Sequence, residues 1–261
     1  MSVSVVEADR DESWGTCTWR AAAGDEQIGD ATAWVRPDGR CFVSFKDCAP
    51  RAYAPLLESV ASAGHRVVYI TANESDTHRV SLYRRLGFEQ DSREQNYVIP
   101  VASAVAALAK ASLPAGATVI SPEAADEDRL RAVDDELRND VPGQAGWRWS
   151  AEAFRDETGG PPYDPALYAV AVSGDEYIGI GRVWNRAPRP RLGMIGVVRP
   201  HRRQGLAGAL LGIVFGELRN RSVREAVTEV DVTNVASNAL IRRLGGEVVG
   251  YSVELVRRFE S

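Results

Sequence analysis

Residues 197–212 read VVRPHRRQGLAGALLG. The stretch opens as the end of a strand, RLGMIGVV at 191–198. Pro200 cannot donate to a sheet ladder and ends the pairing. His201, Arg202, Arg203 and Gln204 make a turn. Gly205, Ala207 and Gly208 then start a helix that runs to about Asn220. Small residues at a helix start let a ligand approach the backbone closely. The first N–H groups of a helix have no internal partner and carry partial positive charge. A phosphate satisfies both conditions, and two arginines add charge-assisted bonds. The direct reading is a pyrophosphate cradle. The segment leaves an alternative open: a helix start with small residues for packing and arginines solvated on the surface. Neither GK[ST] nor G-x-G-x-x-G is present, so this is neither of the common nucleotide loops.

Working outward, the chain repeats itself. GDEQIGDATAW at 24–34 returns as GDEYIGIGRVW at 174–184, offset by 150 residues (Gly24 against Gly174). LYRRLGFE at 82–89 returns as LIRRLGGE at 240–247, offset by 158 (Leu82 against Leu240). Two echoes in one order imply two copies of one fold. The second copy carries 8 more residues between the echoes, in the interval that holds the cradle. GDE-x-IG reads as a hairpin turn. The segments ending in RRLG read as glycine-terminated helices with arginines at the negative end of the dipole. A strand precedes each of these helices, at 65–71 and 225–233. Strands alternating with helices give an α/β layer arrangement.

VASAVAALAKASLPAGA at 101–117 reads as a connector, helical to Leu113 and stopped before Pro114 and Gly116. The following helix is capped by Ser121, with Pro122 at its first position. Another starts at Ser150. The first copy, whose strands begin by about Trp14, has no equivalent helix pair and is shortened.

The 261 residues, 44% hydrophobic, are enough for two compact domains or one large one, with a real core expected. A net charge of -5 argues against a general nucleic-acid binder. No apolar run reaches ~20 residues, so no membrane span is expected. The N-terminus does not read as a signal peptide. Cys17, Cys41 and Cys48 are odd in number and lack CxxC spacing, which suits a reducing, cytoplasmic setting without structural zinc. His65, His78 and His201 are scattered, and no metal is expected.

VVRPHRRQGLA resembles the acetyl-CoA-binding signature of the GNAT superfamily of N-acetyltransferases, a strand followed by [QR]-x-x-G-x-[GA] opening a helix. Arg202, Arg203, Gln204, Gly205, Leu206 and Ala207 occupy the signature, with Gly208 next. The resemblance implies that the loop N–H groups hold the coenzyme A pyrophosphate. It implies that the strand before it splays from its neighbour, so that Gly196, Val197 and Val198 pair with the pantetheine arm. Asn234, Ser237 and Asn238, followed by LIRRLGG, stand where the family has its cofactor asparagine and next helix. Two features depart from the family. Its usual tyrosine acid is replaced by Ile241, and RLGMIGVV lacks the carboxylate often used as base. No catalytic acid or base is therefore assigned. Asp231 and Tyr251 are the residues placed to assist, and an oriented amine gains much of its rate from positioning alone.

The first copy keeps Tyr83 and Phe88 but reads KDCAPRAYAPLL at its loop, with Pro50 removing a donor and no glycine for a cradle. Asp76 stands in the place of the asparagine. This copy is not expected to bind acetyl-CoA, and Tyr83 reads as a core residue. In the family, the helix pair and its loop wall the acceptor pocket. Here that loop is NDVPGQAGWRW at 139–149, with Asp140, Trp147 and Trp149. Trp184 faces the same space or, like its counterpart Trp34, packs. Tryptophans beside a carboxylate suit an amine with an apolar body.

The expected architecture is α/β (α+β): two tandem domains, each a central mixed, mostly antiparallel sheet flanked by helices. The boundaries are 1–100 for the shortened copy, 101–117 for the connector and 118–261 for the acetyl-CoA-binding domain. The tandem arrangement resembles the mycothiol synthase group of actinobacterial acetyltransferases. The implied activity is acetyl transfer from acetyl-CoA to a primary amine of a small molecule, in a monomer or homodimer. Two alternatives stay open: a non-catalytic acetyl-CoA sensor or scaffold, and a lysine acetyltransferase acting on proteins.

Overall fold

A computed structural model describes residues 2–11 and 15–260. Its strands are β1 (Ser4–Asp11), β2 (Thr16–Ala23), β3 (Glu26–Val35), β4 (Cys41–Lys46), β5 (Val67–Asn73), β6 (Glu89–Pro100), β7 (Ala117–Ile120), β8 (Tyr168–Ser173), β9 (Glu176–Trp184), β10 (Arg191–Val197), β11 (Glu225–Asp231) and β12 (Glu247–Arg258). Its helices are α1 (Tyr53–Ser62), α2 (Thr77–Arg85), α3 (Val101–Leu108), α4 (Glu127–Asn139), α5 (Ala151–Gly159), α6 (Leu206–Asn220) and α7 (Val235–Arg243). The chain divides into two units. One comprises Met1–Arg93 with Tyr251–Ser261, and the other Glu94–Gly250.

The two units repeat one sheet plan. In the first the order is β1-β2-β3-β4-β5-β12, antiparallel except for the parallel pair β4–β5. In the second it is β7-β8-β9-β10-β11-β6, antiparallel except for the parallel pair β10–β11. The sixth strand is exchanged: the chain's last strand completes the first sheet, and β6 completes the second. The compact units accordingly meet at Arg93 and Glu94 and again at Gly250 and Tyr251, whereas the sequence reading drew its boundaries at 100 and 118. The RRLG echoes end their helices as expected, but the strand after each one pairs in the other unit. Nothing local in a strand records which edge it will join.

The helix pair α4 and α5 stands between β7 and β8, whereas β1 runs to β2 across four residues. The first unit is shortened as expected, although its first strand starts at Ser4. Trp14, used to mark that start, lies outside the described residues. Ser121 caps only a short 3-10 turn at Pro122–Ala124, and the cap of α4 is Asp126, whose side chain accepts from Arg129 N–H. The connector helix ends at Leu108, five residues before the proline-set limit.

Each unit has its own core. In the first, Leu56, Leu57, Val60, Val68, Tyr83 and Leu255 are buried together. In the second, Ile178, Ile180, Leu210, Val214 and Phe215 lie between β9 and α6. Tyr83 is a core residue: Phe88 and Phe45 pack on its ring, and burial pushes its hydroxyl up to about 12. No helix among the described residues is long and apolar enough to cross a membrane.

Candidate active site

In the second unit β10 pairs with β9 along its length but with β11 only at Arg191 and Val227. From that point β10 and β11 diverge. Val198 N–H donates inward to Ile178, and Gly196 pairs with Ile180 of β9. Alternate residues of an antiparallel ladder face the same neighbour. Ile195 and Val197 therefore turn their backbone groups toward the open side. The carbonyl of Val197 is taken there by Arg202 Nε at 2.7 Å.

The turn after β10 is left-handed at Arg203 (φ 63°) and at Gly205 (φ 86°), with Gln204 of ordinary hand between them. Such alternation points successive N–H groups to one side. Gly205 is the N-cap of α6, and no side chain bonds to the helix start. The N–H groups of Leu206, Ala207 and Gly208 precede the first helical bond, from Ala209 N–H to Gly205. They border a cleft of about 550 Å³ lined by Gly196, Val197, Arg203, Gln204 and the start of α6. His201, Arg202, Arg243 and Lys110 also line it, and no carboxylate does. A cleft with only positive groups and free helix N–H donors fits a polyphosphate. The residues present therefore fit the pyrophosphate arm that the sequence resemblance implies.

The far wall of this cleft is the end of α3 and the residues after it, Leu108 to Ser112. Gly208 faces that wall: a Cβ there would meet Ala111 at 3.5 Å and Leu108 at 3.7 Å. The stretch read as a connector thus packs on α6, with room for a methyl group at Gly208.

A smaller cavity of about 130 Å³ lies on the other side of the divergence, and Ile195 and Leu240 line both spaces. It is lined by Arg138, Gly193, Met194, Thr228 and Ile241. Carboxylates reach it from β11 (Glu229 and Asp231) and from β6 (Glu94), and none comes from β10. Glu229 is paired with Arg191 at 2.6 Å. Glu94 and Asp231 are register partners across β6 and β11. Ile241 is buried and apolar, in keeping with the missing tyrosine acid.

Other sequence-predicted residues are placed differently. Asn234 is the N-cap of α7, where its side chain accepts from Ser237 N–H. Both line the smaller cavity. Asp76 caps α2 in the same way, accepting from Arg79 N–H. Asn238 is 3% exposed and fully engaged: it donates to Asp231 and Asn234 carbonyls and meets the Tyr97 hydroxyl at 2.9 Å. These bonds hold the turn before α7. Val198 is buried and does not line the cleft. Tyr251 belongs to the first unit, where its ring lies under the Arg93 guanidinium at 3.7 Å.

Asp140 is not a substrate carboxylate. It binds Arg199 at 2.6 Å and also Arg202, tying the end of α4 to the cradle turn. Hydrogen bonds from Arg199 and Arg202 hold its carboxyl below the usual range. Trp147, Trp149 and Trp184 are buried. They enclose a charge cluster that sequence reading missed. Asp134 accepts from Arg138 Nε at 2.5 Å and from Trp149 Nε1 at 2.8 Å. Arg182, 1% exposed, lies 3.6 Å from Asp134 and over the rings of Tyr168 and Trp184 at 5.2 and 4.3 Å. Burial opposes the charge on Asp134, but Arg138 and Arg182 outweigh it and keep its carboxyl below the ordinary range. The signal was the spacing Asp134–Arg138, one helical turn on α4.

Residues 131–246 match the model of the Acetyltransferase (GNAT) family. The match covers less than half of the chain and likens this segment to a GNAT acetyltransferase domain. Among solved structures, the whole chain is similar to a tandem GNAT protein from the clavulanic acid biosynthesis pathway, solved without acetyl-CoA. That likeness has a TM-score of 0.71 at 16% identity, over 96% of this chain and 85% of that one. A GCN5-related N-acetyltransferase from Sphaerobacter thermophilus is similar at TM-score 0.65 and 22% identity, over 94% and 81%. One from Kribbella flavida is similar at 0.57 and 15%, over 87% and 86%. These likenesses are of fold. Among curated proteins, none matches the sequence. The tandem GNAT-like architecture expected from the repeat is the one observed, and the GNAT domain supports acyl transfer.

Proposed function

We propose that the GNAT domain binds acetyl-CoA and transfers its acetyl group to a primary amine of a small molecule, by direct attack. The observation that carries this reading is the divergence of β10 from β11 directly into the Arg203–Gly205 turn and the uncapped start of α6. Backbone N–H groups of Gly205, Leu206 and Ala207, with Arg203 and Gln204, would hold the pyrophosphate. The open edge at Ile195 to Val197 would pair with the pantetheine arm. The amine would enter from the smaller cavity, since the two spaces meet at Ile195 and Leu240.

In the step itself the amine nitrogen bonds to the thioester carbonyl carbon, the carbon–sulfur bond breaks, and the sulfur leaves as coenzyme A thiolate. The amine must lose a proton and the thiolate gain one. Glu94 and Asp231, facing each other at the cavity, are the groups placed to accept it. Ile241 leaves no side-chain acid beside the departing sulfur, so water would supply that proton. A cavity of about 130 Å³ favours a small acceptor over a protein lysine in an open groove. The test is release of free thiol from acetyl-CoA with a panel of small amines. Thiol release above the acceptor-free rate is expected with at least one small amine. Binding of acetyl-CoA without release for any amine would favour a sensor or scaffold, the reading that Ile241 and the absent β10 carboxylate motivate.

A further inference from the structure

We infer that the acceptor carries a carboxylate or similar anionic group as well as its amine, and that Arg138 holds it. This rests on the acetyl-transfer reading of the same site. The cluster behind the cavity contains two guanidiniums, Arg138 and Arg182, and one carboxylate, Asp134. All three are buried, so the cluster carries one uncompensated positive charge in a place where water cannot screen it. The neighbouring acids do not cancel it. Asp135 accepts the Trp149 backbone N–H at 3.0 Å, and among the described residues it makes no ion pair within 4 Å with Arg138 or Arg182. Glu157 acts on both arginines only as a more distant charge, with no ion pair within 4 Å among the described residues.

Arg182 is sealed behind the sheet, but Arg138 lines the cavity. Its Nε is fixed by Asp134 and its plane lies over Trp147 at 4.5 Å. Among the described residues no hydrogen bond to protein engages its two terminal nitrogens. A guanidinium held this way presents a planar fork whose natural partner is a carboxylate taken bidentately. Across the same cavity stand Glu94 and Asp231, which favour an ammonium. The lining therefore offers both a guanidinium fork and carboxylates, apart from the Arg191–Glu229 pair. That pattern matches a zwitterion, an amino-acid-like acceptor whose nitrogen lies on the carboxylate side.

The test is calorimetry on the full chain saturated with coenzyme A, with matched pairs that differ only in the carboxylate. Leucine is compared with isopentylamine, phenylalanine with phenethylamine, and β-alanine with ethylamine. At least one acid is expected to bind 10-fold or more tightly than its decarboxylated partner. Arg138→Gln should remove that preference without weakening the plain amine, and Arg138→Lys should restore part of it. Asp134 keeps Arg182 as its partner in either variant, and urea unfolding reports whether each is folded. Equal binding within every pair, no binding of any acid, or an equal loss for both members in Arg138→Gln would overturn the assignment. Because this readout needs no turnover, it is independent of the thiol-release assay. Absent thiol release with the acid preference intact would count against acetyl transfer and leave Arg138 as an anion site.

Discussion

Arg202 Nε donates to the carbonyl oxygen of Val197 at 2.7 Å, and its other end is bound to Asp140. Arg202, expected from sequence to meet the phosphate, is held between the open edge of β10 and the end of α4. Charge alone does not replace it, because a lysine ammonium cannot span both partners in a fixed plane. Arg202→Lys is expected to weaken acetyl-CoA binding about tenfold, roughly 1.4 kcal/mol. Calorimetry checks this. A lysine variant with unchanged affinity would return Arg202 to the solvated surface.

The same contact predicts a pH dependence. Asp140 is held below the usual carboxylate range by Arg199 and Arg202. Its stabilising contribution is complete above the unfolded pKa of about 3.9 and is lost as pH falls through the lower folded value. For a partly exposed bridge the effect is about 1 kcal/mol. Asp140→Asn should lower stability by that amount at pH 7 and match wild type in strong acid. Urea unfolding across that range measures it.

Two glycines of the cradle separate by role. Gly205 is left-handed and caps α6, so Gly205→Ala should cost about 1–2 kcal/mol and distort the cradle. Gly208 is helical, and its Cβ position meets Ala111 at an ordinary 3.5 Å. Gly208→Ala should raise stability by about 0.5–1 kcal/mol and leave acetyl-CoA affinity within about twofold. Thermal unfolding and calorimetry on both variants test the pair. Equal damage from the two would contradict the room for a methyl group at Gly208.

Asp134 is the single carboxylate of a buried cluster with two guanidiniums. Asp134→Asn leaves both arginines without a counter-charge and should cost about 3–5 kcal/mol. Arg138→Gln leaves one balanced pair and should cost clearly less. The order of the two urea midpoints decides it.

Much of this was legible in the sequence. The turn and helix start at Arg203 to Ala207 were, because a left-handed glycine and an uncapped helix start are both local properties. The repeat revealed two copies, because GDE-x-IG and RRLG are a turn and a helix end, also local. The exchange of β6 and β12 was not legible, because strand pairing over long separations leaves no local mark. The same exchange sets Glu94 opposite Asp231, a pairing with no local sequence signal. The engagement of Asn238 with the Asp231 and Asn234 carbonyls was not legible either, because its amide suits a ligand as well as a turn. Arg182 and Asp134 lie far apart in the chain, and their pairing through the sheet is a tertiary fact.

The central claim is that the cradle of the second unit holds acetyl-CoA. Titration of the full chain with acetyl-CoA in a calorimeter, beside Gly205→Glu, tests it most directly. The account predicts one site per chain in wild type and at least 100-fold weaker binding in the variant, whose carboxylate would meet the pyrophosphate. No binding to wild type, or equal affinity for the two proteins, would contradict it.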